Sequence, residues 1–170
     1  MLDILKFTIP SLILLACVWI VMHQMFKSEA EKRRWELKKQ SQKEISQIRL
    51  RAYERLSILL ERTQPEHLLT EMNLTGMSVL DVQQHLLRTI RMEYDHNLSQ
   101  QIYVSDELWD KILLARDEMG AFVNSIATQI APNSTAMDYA KTLLTAYAGN
   151  GDTPNEIALV MLKDEVRKLL

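Results

Sequence analysis

Phe7-Thr8-Ile9-Pro10-Ser11-Leu12-Ile13-Leu14-Leu15-Ala16-Cys17-Val18-Trp19-Ile20-Val21-Met22-His23-Gln24-Met25-Phe26 is a run of 20 residues without Asp, Glu, Lys or Arg, and Lys27 follows it at once. As an α-helix such a run rises roughly 30 Å, the thickness of a bilayer's hydrocarbon core. Backbone amides in lipid must be satisfied within the segment, so the composition predicts one transmembrane helix. Pro10 falls in its opening turns, where a missing N–H costs little.

Working outward, the flanking charges give an orientation. Only Asp3 and Lys6 precede the run, whereas Lys27, Lys32, Arg33, Arg34, Lys38, Lys39 and Lys43 follow it closely. Lys/Arg-rich flanks stay on the cytoplasmic side, so the N-terminus is expected outside and the body in the cytoplasm. Cys17 is the only cysteine, so no intrachain disulfide can form. Leu14-Leu15-Ala16-Cys17 has the form of a lipidation signal, which makes a lipid-linked envelope protein an alternative. The sequence after Cys17 stays apolar to Met22, however, and no small-x-small cleavage site interrupts it.

Residues 28–63 contain no Gly or Pro and are dense in Glu, Lys, Arg and Gln. Their first half offers only Ala30, Trp35 and Leu37 as apolar residues, too few for a continuous buried face and too few for a long self-standing coiled coil. From Ile45 the pattern changes: Ile45, Ile48, Ala52, Leu56, Leu59 and Leu60 form one apolar stripe suited to packing on a domain or a partner helix. Gln64-Pro65 breaks the helix. The expected organisation is therefore an anchor over 1–27, a basic helical stalk over 28–63 and an acidic helical domain over 64–170. Charge divides the chain likewise: residues 27–62 carry a net +5 and residues 63–170 a net −7. The acidic part disfavours nucleic acid, and the basic run sits where an anionic membrane surface would attract it.

With four Gly and four Pro in 170 residues and 47% hydrophobic content, the chain reads as all-α. A short helix over 66–72 and a turn at Asn73-Leu74-Thr75-Gly76 are expected first. Ser78-Val79-Leu80-Asp81 resembles a capping box that opens a helix to about Gln101. Ser105-Asp106-Glu107 opens the next, to about Ile130. Ala131-Pro132-Asn133-Ser134 caps a helix to Ala148, and Thr153-Pro154 a last one to Leu170. Core stripes are expected at Leu108, Ile112, Ala115, Met119, Phe122, Ile126 and Ile130, and at Met137, Ala140, Leu144 and Tyr147. The domain should be a compact bundle of four to five helices.

No complete catalytic, nucleotide or metal motif occurs, so a non-enzymatic role without cofactors is the expectation. Glu93-Tyr94-Asp95-His96 contains one Glu-x-x-His, and such a pair on one helix face ligates metal in carboxylate bundles. Those sites need a second such pair, so Glu93 and His96 would serve only in a site shared across a dimer. Asp81 with His85, and Glu66 with His67, read as local polar pairs. The densest polar-aromatic stretch is Glu93 to Asp110. There Tyr94, His96, Asn97, Gln101, Tyr103 and Trp109 are the partner-binding candidates, against the plainer reading of a well-satisfied corner between two helices.

Two segments carry a resemblance. Arg51-Ala52-Tyr53-Glu54-Arg55-Leu56-Ser57-Ile58-Leu59-Leu60-Glu61-Arg62-Thr63-Gln64-Pro65 is one. Glu93-Tyr94-Asp95-His96-Asn97-Leu98-Ser99-Gln100-Gln101-Ile102-Tyr103-Val104-Ser105-Asp106-Glu107-Leu108-Trp109 is the other. Both are similar to a family of uncharacterised small bacterial membrane proteins with one N-terminal anchor and a helical cytoplasmic domain, over about Phe7 to Ile130. The resemblance implies a bacterial inner-membrane location and this architecture, and it brings no catalytic residues. The functional expectation is a single-pass accessory or scaffold protein that binds a protein partner or a second copy of itself.

Overall fold

The computed structural model describes the backbone of residues 2–149, 151 and 153–169 and, among these, the side chains at residue 15, 19–29, 31–149, 151 and 153–169. Among these residues all regular structure is helical. Six α-helices follow in order: α1 (Leu2–Arg62), α2 (Pro65–Thr70), α3 (Val79–Asn97), α4 (Asp106–Gln129), α5 (Ala136–Gly149) and α6 (Pro154–Leu169), with a 3-10 helix at Leu98–Tyr103 between α3 and α4. The chain divides into two units, Met1–Ser46 and Gln47–Leu170.

In the first unit the described side chains are almost all exposed, including Trp19, Trp35, Leu37 and Ile45. Trp19 stacks on His23 with ring centroids 5.5 Å apart, and the Lys39 ammonium lies 5.3 Å from the Trp35 ring centroid. Among the described residues no helix is long and apolar enough to cross a membrane. The anchor expected at Phe7–Phe26 falls largely on side chains outside the described residues, Cys17 among them.

The second unit owns the hydrophobic core. The boundary expected after Thr63 gives way to one at Gln47, because the last four turns of α1 are built into this core. Ala52, Tyr53, Leu56, Leu59 and Leu60 are all buried, while Ile45 and Ile48, earlier on the same stripe, stay exposed. Tyr53, Leu56, Leu59 and Leu60 join Val82, Leu86 and Ile90 of α3, Leu108, Ile112, Ala115, Met119 and Val123 of α4, and Ala158 and Leu162 of α6 in one cluster.

The helix starts follow local chemistry. Ser78 and Asp81 form a reciprocal capping box: the Ser78 amide donates to the Asp81 carboxylate at 2.9 Å and the Asp81 amide to the Ser78 hydroxyl at 3.2 Å. Thr153 and Glu156 repeat it for α6. For α5 the cap is Thr135 with Asp138, one residue beyond the expected Ser134. Gly76 takes φ 77 in the turn before α3, a conformation that costs glycine little.

α5 corrects the expected stripe. Its core face is Ala136, Tyr139, Ala140 and Leu143, whereas Met137 is 50% exposed and Leu144 and Tyr147 are half-buried. Apolar residues lie on several faces of this helix, so periodicity alone cannot choose. Tyr139 decides, because its buried hydroxyl reaches the Val123 carbonyl at 2.8 Å. Phe122 on α4 and Ile130 just beyond its end likewise lie at the margin, and Trp109 and Val123 take core places.

Candidate functional site

α3 buries Val82, Leu86, Ile90 and Tyr94 at every fourth position. Each four-residue step advances that row by about 40°, so Leu98 and Ile102 fall progressively away from the inward face set by Val82 and Leu86. The backbone tightens to 3-10 geometry at Leu98, short of the expected end at Gln101. Gln100 turns inward and is buried, while Leu98 is left 51% exposed and Ile102 72% exposed. Two core-type side chains are thus presented to solvent at the corner between α3 and α4.

The corner is held from behind by one carboxylate. Glu165, on α6, accepts hydrogen bonds from the Ser105 amide (3.0 Å), the Ser105 hydroxyl (2.7 Å), the Tyr53 hydroxyl (2.7 Å) and Arg49 Nη2 (3.1 Å). Arg49 Nε also donates to the Tyr103 carbonyl at 2.9 Å, and its Nη2 to the Tyr53 oxygen at 2.6 Å. Ser105 meanwhile caps α4 through the Leu108 amide at 3.2 Å. Burial alone would raise the Glu165 pKa. The bonds from Ser105 and Tyr53 and the charge of Arg49 outweigh it and hold the carboxyl below its ordinary value of 4.5. Burial, then the same carboxylate, pushes the Tyr53 hydroxyl up to about 12. The node joins α1, the 103–105 connection and α6, so the corner's backbone is fixed although its tip is exposed.

Placed on this frame, the sequence candidates separate. Tyr94 and Trp109 are core residues, 3% and 8% exposed; their aromatic bulk, which suggested an interface, packs inside the unit. Asn97 and Tyr103 are half-buried. The Asn97 amide donates to the Glu93 carbonyl at 2.9 Å, and Tyr103 serves the node through its carbonyl. His96 and Gln101 are exposed. Glu93 lies 3.2 Å from Arg62 Nη2, an ion pair that ties α3 to the end of α1. Among the described residues no three His, Cys, Asp or Glu side chains gather closely enough to hold a metal.

Sequence reasoning missed Leu98, Ile102, Arg49 and Glu165. Leu98 and Ile102 continue an ordinary core period, and the Arg49–Glu165 pair bridges 116 positions of chain, which leaves no local signal. Elsewhere a groove of about 740 Å³ lies between α2, the following turn and α5, with Leu69, Met72, Leu74, Met77, Met137 and Leu144 on its walls.

A model described as "Family of unknown function (DUF7935)" matches residues 1–169. The chain belongs to this family. No curated protein and no solved structure matches it significantly. Membership covers the chain from α1 through α6, so anchor candidate, corner and Glu165 node all lie within the family's extent, and the family carries no assigned activity.

Proposed function

We propose that this protein is a non-enzymatic, single-pass accessory subunit of the bacterial inner membrane. In this reading residues 7–26 are the anchor, the N-terminus lies outside, and the unit Gln47–Leu170 docks a protein partner in the cytoplasm through the corner at 98–105. The anchor rests on the uncharged run and on the basic residues that follow it.

The observation that carries the docking reading is the outward display of Leu98 and Ile102 on a braced backbone. Burying such a side chain on a partner stabilises the complex by about 1.5–3 kcal/mol, and a prefixed backbone avoids the ordering cost a loose loop would incur. The corner offers contact surface more than reactive groups, since the Glu165 carboxylate and the Tyr53 and Ser105 hydroxyls are occupied in structural bonds.

The test is affinity capture of the tagged full-length protein from detergent-solubilised membranes, beside the Leu98→Glu/Ile102→Glu variant. A stoichiometric partner held by the parent and lost by the variant, at an unchanged unfolding midpoint, is expected. The same partners on both forms, or none from either, refutes it. Alkaline carbonate extraction tests the anchor: the chain stays with the membrane pellet, and its release would remove that part of the reading.

A further inference from the structure

Past Leu162 no described residue of α6 is buried: Val166 and Leu169 are half-buried, and Lys163, Asp164, Arg167 and Lys168 are exposed. The ion pair there, Arg167 with Asp164 at 2.9 Å, lies within the helix. Among the described residues, the side-chain hydrogen bonds that tie this end of α6 to the rest of the unit all belong to Glu165. The segment from Tyr103 to Leu108 has the same holder. Ser105 donates to Glu165 through both its amide and its hydroxyl, and Arg49, which binds the Tyr103 carbonyl, is itself on Glu165 at 3.1 Å. The Ser105 hydroxyl donates to the carboxylate at 2.7 Å and accepts from the Leu108 amide at 3.2 Å. Glu165 therefore sets the direction of the hydroxyl that caps α4, and bonds in such a chain strengthen one another.

We infer that the end of α6 beyond Leu162 and the segment 103–108 open and close together, with Glu165 as the latch between them. Lifting the end of α6 uncovers little apolar surface, so its cost lies mainly in the bonds of one carboxylate. The same motion leaves Ser105 and Arg49 without that acceptor and loosens the start of α4. Displacing Ser105 in turn removes two of the bonds that hold Glu165, so the coupling runs both ways. Ala158 and Leu162, which are buried, keep the earlier part of α6 on the core throughout. An event at the corner is thereby felt 60 positions away, at the end of α6, whatever the corner binds.

Amide hydrogen exchange of the full-length protein, read peptide by peptide by mass spectrometry, tests the coupling in each direction. Ser105→Ala speeds exchange roughly tenfold at 163–169 as well as at 103–108. Glu165→Ala speeds both segments together, and Glu165→Gln does so to a smaller extent. Amides of Val82–Ile90 in α3 stay protected over the times in which these two segments exchange. Ser78→Ala, which removes the cap of α3, is the control and leaves early exchange at 163–169 unchanged. In the Ser105→Ala/Glu165→Ala double variant the two effects do not multiply, because each single change already removes the bond they share. Exchange at 163–169 unmoved by Ser105→Ala overturns the inference. So do effects that multiply in the double variant, or Val82–Ile90 exchanging on the same time course as the two segments. If Glu165→Ala does not fold, Ser105→Ala and Glu165→Gln, singly and combined, decide by the same readings.

Discussion

Glu165 is the position where a single change reports most directly on how the corner is held. Glu165→Ala removes the acceptor for the Tyr53 hydroxyl, the Ser105 amide, the Ser105 hydroxyl and Arg49 Nη2 together. Arg49 is a third exposed and water recovers part of its loss, so the main cost falls on Tyr53 and Ser105. A buried donor left unpaired costs about 1–3 kcal/mol, and the Ser105 hydroxyl can turn elsewhere, which gives about 2–4 kcal/mol in all. For a unit of this size that lowers Tm by roughly 10 °C. Glu165→Gln keeps one acceptor oxygen and should lose less. The pH dependence separates the charge from the shape. The folded carboxyl titrates below 4.5, so Glu165 adds stability above that pH and loses it as pH falls through the folded value. Urea unfolding followed from pH 7 to pH 3 should show a shallower acid decline in Glu165→Gln than in the parent. A Glu165→Ala change below about 0.5 kcal/mol, or identical acid limbs in parent and Gln variant, would refute the node as the brace of the corner.

Four further outcomes are expected. Tyr53 titrates at about 12 against an ordinary 10.0, so stability present below pH 10 is lost between pH 10 and 12; Tyr53→Phe should flatten that alkaline limb in the same unfolding assay. Gly120→Ala should raise stability by about 0.5–1 kcal/mol, because a Cβ there meets only Leu87 Cδ2 at 3.8 Å inside a helix. Gly76→Ala should cost about 1 kcal/mol through its φ of 77 even though the space is open, and thermal melts distinguish these opposite signs. Tyr94→Phe should leave stability unchanged or slightly raised: the hydroxyl is buried with no hydrogen-bond partner among the described residues, since Thr63 beside it donates to the Leu59 carbonyl at 2.8 Å.

What the sequence made legible was whatever is decided within one helical turn. Ser78 with Asp81 and Thr153 with Glu156 are read from side chains three residues apart, and the structure makes those bonds. Leu108, Ile112, Ala115, Met119 and Ile126 follow one helical period and are buried. Where the choice depends on distant partners, local rules mislead. α5 has apolar residues on more than one side, and its inward face is settled by Tyr139 reaching Val123 on another helix. The end of α1 carries an apolar stripe whose period leaves open whether a domain or a partner helix covers it, and the structure buries Ala52, Leu56, Leu59 and Leu60 in the unit that begins at Gln47.

The corner shows the same limit in a sharper form. The sequence singled out residues 93–110 by their polar and aromatic character, and within that stretch the large aromatics Tyr94 and Trp109 went inside. The exposed apolar contacts are Leu98 and Ile102, whose four-residue spacing from Tyr94 is a core signature. The row drifts by about 40° per four residues, and the chain passes from α to 3-10 geometry at Leu98, so both side chains end exposed. That change is stabilised by Arg49 on the Tyr103 carbonyl and Glu165 on Ser105, both supplied from far along the chain. A surface made of backbone geometry and two exposed aliphatic side chains has no motif. Its recognition depends on the three-dimensional order of residues that are individually ordinary. The docking proposed for such a surface therefore has no local signature, because its parts are chosen by backbone geometry and not by residue spacing.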